Sequence, residues 1–302
     1  MKILISGGTG LIGKALIKNF IQTGDQIVVL TRSKYGRKDS DSIKYVEWDT
    51  QSSEPLNPIL KDIDAVINLA GDNIGEGYWS NAKKERIIQS RVQAGNALSR
   101  AIIDSGNQPD VFIQASGVGY YGASLDETFD ELSPNGKGFQ ADVAHKWENS
   151  SAELDAIGIR RVIIRMGIVL DAKSGALPLM VLPFKMFVGG PLGSGRQFVS
   201  WIHLQDDIRA IDFVMRNKKL SGAVNLTAPK SNSNKEFGKT IGNVLKRPYW
   251  FPVPAFGLRL ILGEKSALVL EGQKVYPGKL LDHGFEFKYP DIESALKNIY
   301  NK

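Results

Sequence analysis

The 302-residue chain contains no cysteine. That single absence excludes a disulfide framework, a thiolate nucleophile, Cys-ligated zinc and an iron–sulfur cluster. Histidine is scarce as well: the three present have no metal-ligand spacing, so no metal is expected. No apolar run approaches the roughly 18 residues of a membrane span. The start, MKILISGGTG, lacks the apolar core of a signal peptide. A cytoplasmic protein with no membrane partner is expected. Neither G-x-S-x-G nor a P-loop is present, which leaves acyl transfer and P-loop phosphate chemistry without a motif. The excess of positive charge is small, 38 Lys+Arg against 32 Asp+Glu, and is scattered rather than gathered into basic blocks with interleaved aromatics. No nucleic-acid partner is expected, and attraction for an anionic cofactor is the more economical use of the charge.

What is present is regular alternation. Candidate strands are 2–6, 26–31, 45–48, 64–69, 111–115 and 161–169, nearly continuous apolar runs of the kind buried on both faces. Between them, apolar residues recur at spacings of three and four, as in Leu11, Ala15, Leu16 and Phe20, or Ile87, Ile88, Val92, Leu98 and Ile102. Val143, Trp147 and Leu154 continue the pattern on a further helix. Strand and helix in alternation predict an α/β fold: a Rossmann-type, doubly wound parallel sheet with helices on both faces. The nucleotide domain spans 1–170 and also takes up about 200–228. Residues 171–302, richer in Gly and Pro, form a smaller C-terminal substrate subdomain, with a β-like insertion near Phe285–Phe287.

Gly7, Gly10 and Gly13 follow the first strand and open the first helix, as in the G-x-x-G-x-x-G variant of the dinucleotide fingerprint. Gly7 serves the tight turn, Gly10 the approach of a pyrophosphate, and Gly13 the close crossing of helix and sheet; Thr9, Leu11 and Ile12 complete the phosphate loop. An NAD site needs a carboxylate about 20 residues further on, at the end of the second strand. Here that end reads Thr31, Arg32, Ser33, with Lys34, Arg37 and Lys38 close behind, which favours the 2′-phosphate of NADP(H). A solvated surface arginine is the alternative. Leu69, Ala70 and Gly71 end the fourth strand in small residues that let a flat cofactor pass, and Ser116 ends the next strand at the same sheet edge.

GGTGLIG, then NLAG, then Ser116 followed by Tyr120-Tyr121-Gly122, resembles the extended short-chain dehydrogenase/reductase superfamily, NAD-dependent epimerase/dehydratase-like. WSNAKKERIIQSRV, GPLGSGRQFVSWIHLQDDIRAI and RPYWFPVPAFGLRLILGE resemble its atypical, epimerase-family group with a C-terminal segment of its own. The resemblance implies a nicotinamide cofactor and a catalytic Ser, with Tyr and Lys spaced Y-x-x-x-K on one helix. Ser116 matches the serine. No tyrosine in the chain has Lys four residues later; Gln140 and Ala144 stand at those places, and Lys146 lies two residues off, about 200° around the helix.

The catalytic candidates that remain are Ser116, Tyr120 and Tyr121. The resemblance places Arg86, Ser90 and Arg91 toward the cofactor, and assigns substrate contacts to Arg196, suited to an anionic group, and Trp201. His203 reads as a structural histidine, and Asp206 or Asp207 as a helix cap. Two functions are compatible with these residues: an NADP(H)-dependent oxidoreductase or epimerase acting on a small carbonyl or hydroxyl compound, or a non-catalytic redox sensor that holds NADP(H). The sequence leaves turnover, substrate and oligomeric state open.

Overall fold

A computed structural model describes residues 1–301. Seven parallel strands form one sheet: β1 (Lys2–Ser6), β2 (Gln26–Thr31), β3 (Ile43–Glu47), β4 (Ala65–Asn68), β5 (Val111–Gly117), β6 (Arg161–Met166) and, after an excursion, a last strand, Gly222–Leu226, in the order last-β6-β5-β4-β1-β2-β3. This is the Rossmann-type arrangement expected. Both faces of the sheet are covered except at its edge strand β3, which buries none of its residues. Ile3, Ile5, Val29, Ile67 and Ile113 pack under helix α1 (Leu11–Gln22), while Leu4, Val28, Val66 and Phe112 pack beneath α2 (Asn81–Ser105). Each such fully buried apolar side chain contributes about 1.5–3 kcal/mol of transfer free energy. Helix α2 starts where the Ser80 hydroxyl accepts from the Lys83 N–H and ends at Gly106, which takes the left-handed φ of +67°.

Several expected boundaries move. The helix through Val143 and Trp147, α3 (Phe139–Asn149), stops before Leu154, which sits in a separate single turn. The expected strand 161–169 is broken at Gly167, whose N–H still donates to the Leu226 carbonyl while the next N–H, of Ile168, donates to Ser200; only glycine fits there, since a Cβ would stand 2.7 Å from the Ser200 carbonyl oxygen. The chain bends at that point, and β7 (Ile168–Leu170) leaves the main sheet to pair with β8 (Trp201–His203). The last strand of the sheet, here β9 (Gly222–Leu226), then returns beside β6. No strand forms at Phe285–Phe287; Phe285 is buried in a loop against Phe213, with Phe287 edge-on to it, so the apolar signal was core packing.

Residues beyond 171 build a third core in which α4 (Leu177–Lys185), α6 (Asn234–Leu245) and α8 (Ile292–Tyr300) enclose Phe184, Phe237, Ile241 and Leu296. Helix α5 (Leu204–Arg216) ties this body to the sheet. Its cap is neither aspartate: His203 Nδ1 accepts from the Gln205 N–H, as a neutral imidazole must to fill that role, and burial pushes its pKa down. Asp206 instead accepts from the Lys288 and Tyr289 N–H groups and from Arg209. Asp207 is fully buried and neither carboxyl oxygen has a hydrogen-bond partner among the described residues.

Burial pushes the Asp207 carboxyl from 3.8 up to about 8. The folded protein therefore keeps a proton there that the unfolded chain releases, so stability from this group is full below the unfolded pKa and falls as pH rises through the folded one, on the order of 1 kcal/mol per pH unit at most. Asp207→Asn, which cannot ionise, should melt above the parent at pH 8, and the gap should close toward pH 4. A gap independent of pH in thermal unfolding would show the carboxyl already ionised in the fold.

Candidate functional site

The carboxyl ends of β1, β4 and β5 lie side by side along one edge of the sheet, and α1 begins directly after β1 at that edge. Gly7 adopts φ +72°, and a Cβ on it would lie 2.7 Å from the Leu69 carbonyl, so the turns after β1 and β4 are held against each other. A Cβ on Gly13 would lie 2.5 Å from the Gly7 oxygen, which fixes how closely α1 crosses the loop. Gly8, outside the three-glycine fingerprint, packs on Val29 and Ile17 for the same reason. Gly10 is different: a Cβ there would meet nothing nearer than the Gly7 oxygen at 3.5 Å. It caps α1 without any side-chain hydrogen bond, and the first turn carries no acid. The N–H groups of Leu11, Ile12 and Gly13 are thus the unsatisfied, positive end of a twelve-residue helix beside exposed Gly10 and half-buried Thr9. This cradle fits an anion such as a pyrophosphate.

At the end of β2, Arg32 is exposed and forms no ion pair among the described residues, nor do Lys34, Arg37 or Lys38. Arg32 borders a cavity of about 280 Å³ with Glu47, Trp48, Asp49, Ser52 and Pro55. The Thr31 hydroxyl donates to the Ser33 carbonyl instead of facing that space, so Thr31 shapes the turn and is corrected as a direct ligand; Ser33 remains exposed. Asp49, which the sequence did not single out, lines the same cavity as Arg32. Its carboxylate accepts from the Gln51 and Ser52 N–H groups and the Ser52 hydroxyl, which hold its pKa below the usual value. The signal was the polar run after β3, which turns back on itself.

The loop after β4 is pinned from two sides. Asn68 Oδ1 accepts from Ser6 Oγ at 2.5 Å and from the Ala70 N–H, while its amide donates to Gln114, a buried polar row across three strands. From below, Asp72 binds Lys83 at 2.8 Å and Arg86 at 3.0 Å; burial raises its pKa, but these two cations outweigh that and hold it low. Arg91 is buried beneath Gly71, where a Cβ would lie 3.0 Å from its guanidinium carbon; it donates to the Asp72 and Ile87 carbonyls and lies over the Trp147 ring. Burial lowers it to about 10 against the pull of Asp72, still charged at neutral pH. Arg91 is therefore taken up in holding Gly71 and Asp72 in place, which corrects its expected role as a cofactor contact, whereas Arg86 is 64% exposed and gives Asp72 only its Nε.

Of the three catalytic candidates, two are engaged elsewhere. Ser116 is buried and donates to Glu148 Oε1 at 2.7 Å. Arg165, its register partner on β6, makes a two-pronged bond to the same carboxylate, both contacts 2.9 Å. Burial opposes the guanidinium charge, but Glu148 more than restores it. Tyr121 accepts from Arg165 and donates to Asn225 on β9, and burial pushes its phenol up to about 12, out of range for proton exchange near neutrality. Ser116 and Tyr121 are thus parts of a buried network. Tyr120 is half-buried, with its ring 3.4 Å from the Arg165 guanidinium, and its hydroxyl has no hydrogen-bond partner among the described residues. Gln140, at the place of the absent tyrosine, packs on Gly119, and Lys146 points to solvent.

On the C-terminal side, Arg196 is exposed. Trp201 is 1% exposed in the third core with its indole N–H on Asn232, which leaves no face for a substrate and corrects that expectation. Lys265 reaches across to the Gly75 and Gly77 carbonyls, and Gln197 holds the Leu192 and Val269 carbonyls. The chain after α6 is thereby strapped over the β4–α2 loop.

An open parallel sheet whose glycine turn presents an uncapped helix N-terminus defines a dinucleotide-binding protein of the short-chain dehydrogenase type. Residues 3–226 match the NAD dependent epimerase/dehydratase family, and residues 253–299 match a domain of unknown function, DUF1731. The chain belongs to the NAD dependent epimerase/dehydratase family. It is 41% identical over 300 residues to the epimerase family protein YfhF of Bacillus subtilis, covering 99% of this chain and 98% of that one. It is 40% identical to the epimerase family protein SSP1921 of Staphylococcus saprophyticus, with 98% of each covered. The crystal structure of human epimerase family protein SDR39U1 (isoform 2) with NADPH superposes with a TM-score of 0.88 at 32% identity, over 100% of both chains. Among the described residues no helix is long and apolar enough to cross a membrane, and no cluster of His, Cys, Asp and Glu could hold a metal.

Removing one partner of the buried pair leaves the other charge without compensation. Glu148→Ala should cost about 3–5 kcal/mol in urea unfolding, whereas Glu148→Met with Arg165→Met should cost less than that single change. A single variant within about 0.5 kcal/mol of the parent would show the pair to be solvated.

Proposed function

We propose that the protein binds NADP(H) and works as an oxidoreductase on a small carbonyl or hydroxyl compound. The observation that carries the reading is the uncapped amino end of α1 together with four unpaired cations at the end of β2, where an NAD site would hold a carboxylate. Arg32 and Ser33 would take the 2′-phosphate, the N–H groups of Leu11 to Gly13 the pyrophosphate, and Asp49 an amino group on the adenine side. The NADPH in the human relative supports the choice. The nicotinamide, when bound, supplies or accepts the hydride. On the protein side, Tyr120 is the candidate for proton exchange with the substrate oxygen, because its hydroxyl, alone among those of the three candidates, has no partner among the described residues. Arg196 would hold an anionic substrate group. A cytoplasmic location belongs to the same reading, since a chain without cysteine needs no oxidising compartment.

A second reading has an observation of its own. Ser116 and Tyr121 are locked by Glu148 and Asn225, and the Tyr-Lys pair is missing, which is the pattern of a protein that holds NADP(H) as a redox sensor or regulatory ligand.

Titration by fluorescence or calorimetry should show NADPH bound more tightly than NADH, with Arg32→Asp weakening NADPH at least about tenfold and leaving NADH nearly unchanged. Preference for NADH, or binding of neither, would overturn the assignment. Turnover on a panel of carbonyl compounds that disappears in Tyr120→Phe, with NADPH affinity retained, would establish the oxidoreductase. Tight NADPH binding without turnover would favour the sensor.

A further inference from the structure

Of the five tryptophans, Trp48, Trp79, Trp147 and Trp201 are buried, whereas Trp250 is 71% exposed. The segment after it is equally bare: Phe251, Phe256, Leu260 and Ile261 are 58%, 74%, 85% and 65% exposed. The last three lie on α7 (Ala255–Leu262), an eight-residue helix reading AFGLRLIL that buries none of its residues. A helix apolar on nearly every side belongs against something. The patch extends beyond this helix. The Trp250 and Phe251 N–H groups both donate to the Gly189 carbonyl, and the Trp250 indole donates to the Phe187 carbonyl at 2.9 Å. That joins them to the turn after α4, where Met186 and Phe187 are also exposed.

Positive charge dominates this stretch of chain, and Glu264, which follows α7, is paired with Lys84 at 2.7 Å. Residues 172–197 and 237–263, which contain α4, α7 and the turns between, include no Asp or Glu. Lys185, Lys246, Arg247 and Arg259 are exposed, and none pairs with a carboxylate among the described residues. Arg247 stands 4.6 Å from the centre of the Phe187 ring, so cation and aromatic are interleaved rather than segregated.

We propose that this face docks peripherally on an anionic phospholipid surface. Exposed Trp, Phe and Leu beside unpaired Lys and Arg are what the boundary between headgroups and acyl chains accommodates, the apolar groups entering and the cations staying with the phosphates. A second copy of the chain is a poorer occupant. Two-fold pairing would set this patch against itself, bringing its unpaired cations together with no Asp or Glu in residues 172–197 or 237–263 of either copy to offset them. The expectation of no membrane partner rests on the lack of a spanning run, and a peripheral face needs none. The assignment is independent of the cofactor reading.

Trp250 serves as the probe. With full-length protein at low ionic strength, vesicles of phosphatidylcholine and phosphatidylglycerol should shift its emission to shorter wavelength and carry the protein down on sedimentation. Vesicles of phosphatidylcholine alone should do neither. Leu260→Asp, and separately Lys246→Glu with Arg247→Glu, should each weaken vesicle binding about tenfold or more while the melting temperature and NADPH affinity stay put, since these side chains touch neither core nor cofactor loop. Physiological salt should weaken binding as well. No co-sedimentation with anionic vesicles, equal binding to both vesicle types, or a dimer in light scattering that Leu260→Asp dissociates would overturn the proposal.

Discussion

The carbonyl of Leu69 lies where a side chain on residue 7 would begin, and the site depends on that contact. Because residue 7 is glycine, the turns leaving β1 and β4 touch, and the first turn of α1 is brought to the same edge of the sheet. Gly13 repeats the constraint on the helix side by letting α1 cross directly over the loop. The result is an anion cradle made of backbone alone, with no side chain of its own to lose. Its rigidity comes from beneath, where Ser6, Asn68 and Gln114 bridge three strands and Asp72 gathers Lys83 and Arg86 under the adjoining loop.

A second constraint governs the place where proton chemistry belongs in this superfamily. Arg165 points into the interior between β5 and α3, and a buried guanidinium needs a carboxylate. Glu148 meets it with both oxygens and draws in Ser116; Tyr121 and Asn225 complete the shell. Three register-matched positions on neighbouring strands, Ser116, Arg165 and Asn225, thus form one polar row held by a helix residue. A hydroxyl that donates to a buried carboxylate is poorly placed to exchange protons with a ligand. Tyr120, next to the network and stacked on Arg165, is the one of the three candidates whose hydroxyl has no partner among the described residues.

Much of the fold was legible in the chain. Strands β1 and β2 have the residues expected, because continuous apolar runs bounded by Gly and polar turns admit little else. Legibility failed where tertiary contacts overrode local pattern. Gly167 interrupts a run that reads as one strand, since the next N–H, of Ile168, donates to Ser200 in another part of the chain. His203 caps α5 although two aspartates follow it, because Asp206 is claimed by the loop at 288–289 and Asp207 by the core. Arg91 was expected to face the cofactor, but its partners, the Asp72 and Ile87 carbonyls and the Trp147 ring, cannot be paired with it from spacing alone.

By itself the sequence determined the parallel sheet, the glycine turn, the cationic end of β2 and the missing Tyr-Lys pair, because each is a matter of local pattern or simple presence. Only the tertiary structure decided which polar residues are available. Ser116, Tyr121, Thr31 and Trp201 have the right chemistry in one dimension, and in three dimensions each already has its partner. The absence of cysteine narrowed the possible chemistries; burial narrowed them further, since a polar group taken out of water must be satisfied within the fold and is then no longer free to serve a ligand.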